Sequence, residues 1–124
     1  MNAPKPFAVS SAIAALIVTD AVTLHEALQR LDETAGGPLM LVDGGGRLQR
    51  MVTDGDLRRL LLDGHQQTAE LAVLPAMTPV TAGMTASIAE LGALFESAQV
   101  TAIPRIDDAG VPRVLERRGH AGPV

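Results

Sequence analysis

Apolar residues along this chain change period several times, and each change marks an element. Residues 13–18 form an unbroken apolar run, readable as a short strand or as the start of a helix. Thr23-Leu24-His25-Glu26 has capping-box spacing, and Leu24, Ala27, Leu28 and Leu31 follow at helical spacing. That predicts a helix to about Thr34, stopped by Gly36-Gly37. Leu39-Met40-Leu41-Val42 is continuously apolar and of strand length, so both its faces are expected to be buried. Asp43-Gly44-Gly45-Gly46 reads as a turn, and residues 48–53 as the returning strand of a hairpin. Leu57, Leu60 and Leu61 then supply the apolar face of a second helix, with Gly64 near its end. Pro75 and Pro79 bracket a connector.

Beyond the connector the pattern starts again. A shift of 64 residues carries Leu24 onto Ile88, Glu26 onto Glu90, Leu31 onto Phe95, Val42 onto Ile106, Asp43 onto Asp107 and Gly46 onto Gly110. Ser87-Ile88-Ala89-Glu90 repeats the capping box, residues 101–106 the first hairpin strand, and residues 111–116 the second. A gapless register over four elements marks an internal duplication and predicts a pseudo-twofold pair of repeats. The division expected is a flexible tail over 1–12, a first repeat over 13–74 and a second over 75–124, the second truncated before its last helix.

The repeats differ most at one polar turn. Met51-Val52-Thr53-Asp54-Gly55-Asp56-Leu57-Arg58-Arg59 reads as a buried strand end, a tight turn and a helix start. Thr53 can cap that helix, with Asp56 at the capping-box position. Free N–H groups, a hydroxyl, two carboxylates and two arginines converge there, which is chemistry suited to the ribose and phosphate of a nucleotide. Under the same shift Thr53 becomes Arg117, Asp54 becomes Arg118 and Asp56 becomes His120.

Composition narrows the function. The chain has 124 residues, a net charge of −4 and two aromatic residues, Phe7 and Phe95. It therefore offers no overall basic footprint and no stacking platform, which argues against nucleic-acid binding. Cysteine is absent, which removes disulfides, thiol nucleophiles and thiolate metal sites. Residues 7–18 loosely imitate a signal-peptide core, but a single Lys precedes them, so a cytoplasmic location is expected. No run is long enough for a spanning helix, and no membrane association is expected. Nor do the residues offer a Ser–His–acid set or a cofactor lysine, so the chain is not expected to be an enzyme. Asp54 and Asp56 are too few oxygen donors for a metal of their own. His25, His65 and His120 are dispersed surface positions. Arg117 and Arg118 could extend the positive charge of a cleft between the repeats, but a frayed tail is the preferred expectation.

The duplicated unit, ending in a hydrophobic strand and Thr53-Asp54-Gly55-Asp56-Leu57-Arg58-Arg59, resembles the cystathionine-beta-synthase-type (CBS) domain pair, or Bateman module. It looks most like the versions beside sugar-nucleotidyltransferase and sugar-phosphate isomerase domains. The likeness spans about residues 13–118, and Thr101-Ala102-Ile103-Pro104 is similar to the family's strand segment ending in Pro. It implies an α/β fold of tandem β-α-β-β-α-like repeats and a homodimer. It further implies a regulatory site for an adenine nucleotide (AMP, ADP or ATP, with magnesium only as it accompanies the nucleotide). By the resemblance Thr53 and Asp56 would face the ligand, with Asp56 accepting ribose hydroxyls, and Ile103 and Pro104 would shape an inter-repeat cleft. By their chemistry Asp54 and the phosphate-matching Arg58 and Arg59 complete the candidate site, with one of the two adjacent arginines expected to be solvated. Leu39-Met40 stands where the family has Ile-Pro. Two alternatives stand beside the sensor: a ligand-free structural or dimerisation module, and a detached regulatory part of a sugar-nucleotide or sugar-phosphate enzyme.

Overall fold

In the computed structural model, which describes residues 13–118, strands and helices follow the polar punctuation of the sequence. Ile17–Thr19 forms β1, Leu24–Glu33 α1, Leu39–Val42 β2, Leu48–Val52 β3 and Asp54–Leu62 α2. A 3-10 turn, Leu71–Val73, precedes β4 (Ala82–Gly83), α3 (Ile88–Ala98), β5 (Ala102–Ile106) and β6 (Pro112–Arg117). These residues divide into two compact units, Ala14–Pro79 and residues 80–118 together with Ile13. The tail over 1–12 and the His120 equivalence lie outside the described residues. The ambiguous run over 13–18 becomes a strand only at its end, Ile17–Thr19.

Each unit carries one three-stranded sheet, in the order β1-β2-β3 in the first and β4-β5-β6 in the second. The outer pair β1–β2 is parallel and β2–β3 antiparallel, and β4–β5–β6 repeats that arrangement. All four residues of β2 are buried, as its uninterrupted apolar run requires. The duplication extends to irregularities of the backbone. The hairpin register slips between Leu41 and Val42 in one sheet and between Arg105 and Ile106 in the other, the same place under the 64-residue shift.

The hairpin turns are built alike as well. Asp43 Oδ1 accepts from the N–H groups of Gly45 and Arg47, and Asp107 Oδ1 from those of Ala109 and Val111. Gly46 and Gly110 both take φ of 85°, a left-handed conformation open to glycine at no steric cost.

Helix starts are set by reciprocal caps. In α1, α2 and α3 the cap hydroxyls of Thr23, Thr53 and Ser87 accept from the third N–H, and the third side chain returns the bond. Leu24, Ala27 and Leu31 of α1, Leu57 and Leu60 of α2, and the strand residues Leu39, Met40 and Val52 form the first core. The second core is smaller: Ala82, Leu91 and Ile103, with Val80, Ala86, Leu94, Phe95 and Val100 packed around them.

One difference between the repeats follows from what covers α1. Leu24 donates its N–H to Ala69 O and is fully buried, and α1 packs against α2. The described residues of the second unit include no counterpart of α2 or of the segment over 67–73, and the equivalent Ile88 is 86% exposed.

The caps also make stability depend on pH. Bonds from the Thr23 backbone and hydroxyl hold Glu26 below its ordinary pKa, and the Ser87 backbone and hydroxyl do the same for Glu90. The Arg47 and Gly45 N–H groups hold Asp43 low, and those of Val111 and Ala109, with the Arg113 side chain, hold Asp107 low. A carboxylate with a lowered folded pKa contributes stability in full above its unfolded pKa and loses it as pH falls through the folded value. Stability should therefore decline as pH drops below about 4.5. Denaturant titrations of the Glu26→Gln/Glu90→Gln double variant should give a shallower acid decline, because glutamine keeps the cap geometry without the ionisation. An unchanged decline would remove the caps as its cause.

Candidate functional site

Strand β3 ends where Thr53 turns out of the sheet with φ −112° and ψ 167°, and α2 begins on the next residue. Asp56 Oδ2 accepts from Thr53 N–H at 2.8 Å and from Thr53 Oγ1 at 3.0 Å, while Asp56 N–H donates to Thr53 Oγ1 at 3.2 Å. The N–H groups of Asp54 and Gly55 precede the helical ladder and point out of the helix start. Arg58 is tied back to Asp54 across one helical turn and stays exposed. Arg59 is exposed, and its guanidinium makes no hydrogen bond or ion pair with other described residues. Adjacent on the helix, the two arginines thus differ in role, one paired and one available.

The structure adds a residue that the sequence reading missed. Arg50, in the middle of β3, is 3% exposed and is the buried charge of the described residues. Its Nη2 pairs with Asp56 Oδ2 at 3.1 Å, its Nη1 donates to Pro75 O at 2.6 Å, and its Nε donates to Met51 O at 2.9 Å. A signal was present, since Arg50 shares the period-two face of Leu48 and Val52 and so falls on the covered face of the strand, where a charge needs partners.

Beside Arg50 lies a cavity of about 320 Å³. Leu41, Val42, Leu71, Leu74 and Met77 give it apolar walls, and Asp20, Asp43, Gln49 and Arg50 give it polar ones. Its size and mixed lining suit a small organic ligand. Arg50 thus joins two places, the cavity it lines and the capped turn whose carboxylate it holds.

Thr53, Asp54 and Asp56 therefore meet at one helix start within the first unit, with Arg58 drawn to it by Asp54, whereas Arg59 lies in the last turn of the same helix. Ile103 and Pro104 belong to the second unit, on β5 opposite Glu116 and Leu115, and both side chains are fully buried. Arg117 and Arg118 are not frayed. Arg117 ends β6, and Arg118 donates its N–H to Thr101 O and its guanidinium to Phe95 O and Glu96. Phe95 O already accepts from the Gln99 N–H, so the guanidinium is its second donor, a cation at the helix C-terminus where the dipole favours one. Among the described residues no group of three His, Asp or Glu side chains could hold a metal ion, and no helix is long and apolar enough to cross a membrane.

No protein-family model and no curated protein matches the sequence. Solved structures match the fold. The CBS domains of a transcriptional regulator from Streptococcus pneumoniae have a TM-score of 0.73 and 10% identity, over 88% of this chain and 87% of that one. A CBS domain protein from Pyrobaculum aerophilum, complexed with AMP, has a TM-score of 0.70 and 13% identity, over 82% and 79% of the two chains. Hypoxic Response Protein I, with two coordinated zinc ions, has a TM-score of 0.71 and 25% identity, over 87% and 92%. The chain has the fold of a CBS domain pair.

Proposed function

We propose that this CBS-type module is a regulatory sensor of adenine nucleotides, AMP, ADP or ATP, that acts as a homodimer on a partner protein or neighbouring domain. The observation that carries the reading is the capped turn at the start of α2. There, among the described residues, Asp56 takes its donors on Oδ2 alone, which leaves Oδ1 for a ligand hydroxyl. Ribose hydroxyls suit a carboxylate acceptor, each charge-assisted bond being worth about 1.5–3 kcal/mol. Phosphate suits the outward N–H groups of the helix start and the unpaired Arg59, with magnesium arriving as part of the nucleotide. Asp54 would repel a phosphate, and its pairing with Arg58 offsets that charge. The AMP held by the Pyrobaculum aerophilum protein of the same fold supports the same ligand class. Ligand would act by binding one arrangement of the module more tightly than another.

The second reading is a ligand-free dimerisation module. It is favoured by the capping role that already accounts for Thr53 and Asp56, and by the exposed apolar side chains of Leu62 and Ile88. A third makes the chain the regulatory part of a sugar-nucleotide or sugar-phosphate enzyme.

A thermal-shift panel of AMP, ADP, ATP, S-adenosylmethionine, GTP and sugar nucleotides, with and without magnesium, separates them. A ligand at 100 times its Kd adds about 2.7 kcal/mol, which raises the melting temperature by several degrees. A selective rise with adenine nucleotides is expected. A flat panel would favour the dimerisation module, and a rise with sugar nucleotides alone would favour the third reading.

A further inference from the structure

A buried guanidinium is an expensive way to hold a fold together, because well-packed apolar residues often serve stability equally well or better. The second unit makes that comparison within one chain. It repeats the hairpin, the register slip and the aspartate turn, yet it places Val114 where the first unit has Arg50, and Val114 is buried with no charge. The sequence also has His120 where the first repeat has Asp56. Arg50 and Asp56 thus belong to one repeat and are both replaced in the other, so the repeated sheet does not itself require them.

The partners of Arg50 come from three successive parts of the first unit. Met51 is in β3, Asp56 is in the first turn of α2, and Pro75 is in the connector. Pro75 has no N–H of its own, and its carbonyl is held by a side chain rather than by a strand partner. Any movement of the Asp56 carboxylate that releases Nη2 loosens the same planar fork that holds Pro75, since the guanidinium moves as one rigid group.

We propose that Arg50 is a positioning residue that fixes the Asp56 carboxylate and couples it to the connector at Pro75. The coupling is a property of the protein alone. Its use rests on the sensor reading above, in which a nucleotide bound at Asp56 would alter the connector through Arg50. The neighbouring cavity touches both ends of this link, through Arg50 and Pro75.

Hydrogen–deuterium exchange of the full chain tests the link without ligand. The reporters are the hydrogen-bonded amides that lead into the connector, Val73 and Leu74, which donate to Glu70 O and Leu71 O. Arg50→Met should speed their exchange about tenfold, the factor expected for losing a charge-assisted bond. Asp56→Asn keeps a cap acceptor, so it should fold, yet it should still speed the same amides several-fold. The double variant should be no faster than Arg50→Met, and Arg50→Lys should recover only part of the protection because lysine lacks the fork. Unchanged connector exchange in Asp56→Asn, or additive effects in the double variant, would overturn the coupling. AMP supplies the second arm. Bound AMP should change connector exchange in the parent and not in Arg50→Met. AMP that binds while leaving the parent's connector unchanged would overturn the proposed use of the link. If AMP does not bind at all, the sensor reading falls, and the ligand-free comparison still decides the coupling.

Discussion

Asp56→Ala is expected to weaken AMP binding by about 10- to 100-fold, the cost of a charged hydrogen bond to a ribose hydroxyl. The same substitution should lower folding stability, for a reason separate from the ligand. It removes the acceptor of Thr53 N–H and Oγ1 and strips the buried Arg50 of its carboxylate. An unpaired buried charge costs several kcal/mol, but the Asp56 side chain is 31% exposed, so solvent screens part of the pair and the expected loss is about 2–3 kcal/mol. Adding Arg50→Met should restore part of the stability, because the stranded charge goes with it, and none of the affinity. Calorimetric titration below the variant's melting temperature, alongside denaturant unfolding, reads the two effects apart. A variant that loses stability and binds AMP as tightly as the parent would show that Asp56 serves the fold alone, as helix cap and partner of Arg50.

Leu57→Ala should destabilise the chain by about 2–5 kcal/mol, the range for truncating a buried leucine that leaves a cavity. Leu57 is fully buried in the core of the first unit, on the face of α2 that it shares with Leu60. Leu62, on the same helix, is 77% exposed, and Leu62→Ala should change monomer stability by less than about 0.5 kcal/mol. Urea unfolding of the two variants measures the contrast. A large effect at Leu62 that grows with protein concentration would instead place that leucine in a dimer contact, since association adds stability by mass action.

Local features of the sequence were legible wherever short-range physics decides. Capping boxes act over three residues, so Thr23, Thr53 and Ser87 could be read directly as helix starts, and each makes the reciprocal bonds its spacing implies. The four-residue apolar run of β2 announced its burial. The duplication was visible because a repeated unit must repeat its pattern of burial, and the structure carries it further, to a matched register slip. The run over 13–18 could not be assigned from period alone, since a short apolar run suits either element. The order at Arg117 and Arg118 is not legible locally, because Arg117 pairs with Ala102 across the sheet and Arg118 bonds Phe95 and Glu96, all distant in sequence.

The sequence by itself therefore determined the order of elements, the repeat and the polar turn at Thr53-Asp54-Gly55-Asp56. The physical reason is that period, caps and turns are local rules. Only the tertiary structure decided how that turn's charges are spent. It brought Arg50 of β3 and Pro75 of the connector to the Asp56 carboxylate, formed the cavity beside them, and put Ile103 and Pro104 into the second unit's interior. Those facts depend on which distant residues meet, and no spacing along the chain encodes a meeting across the fold.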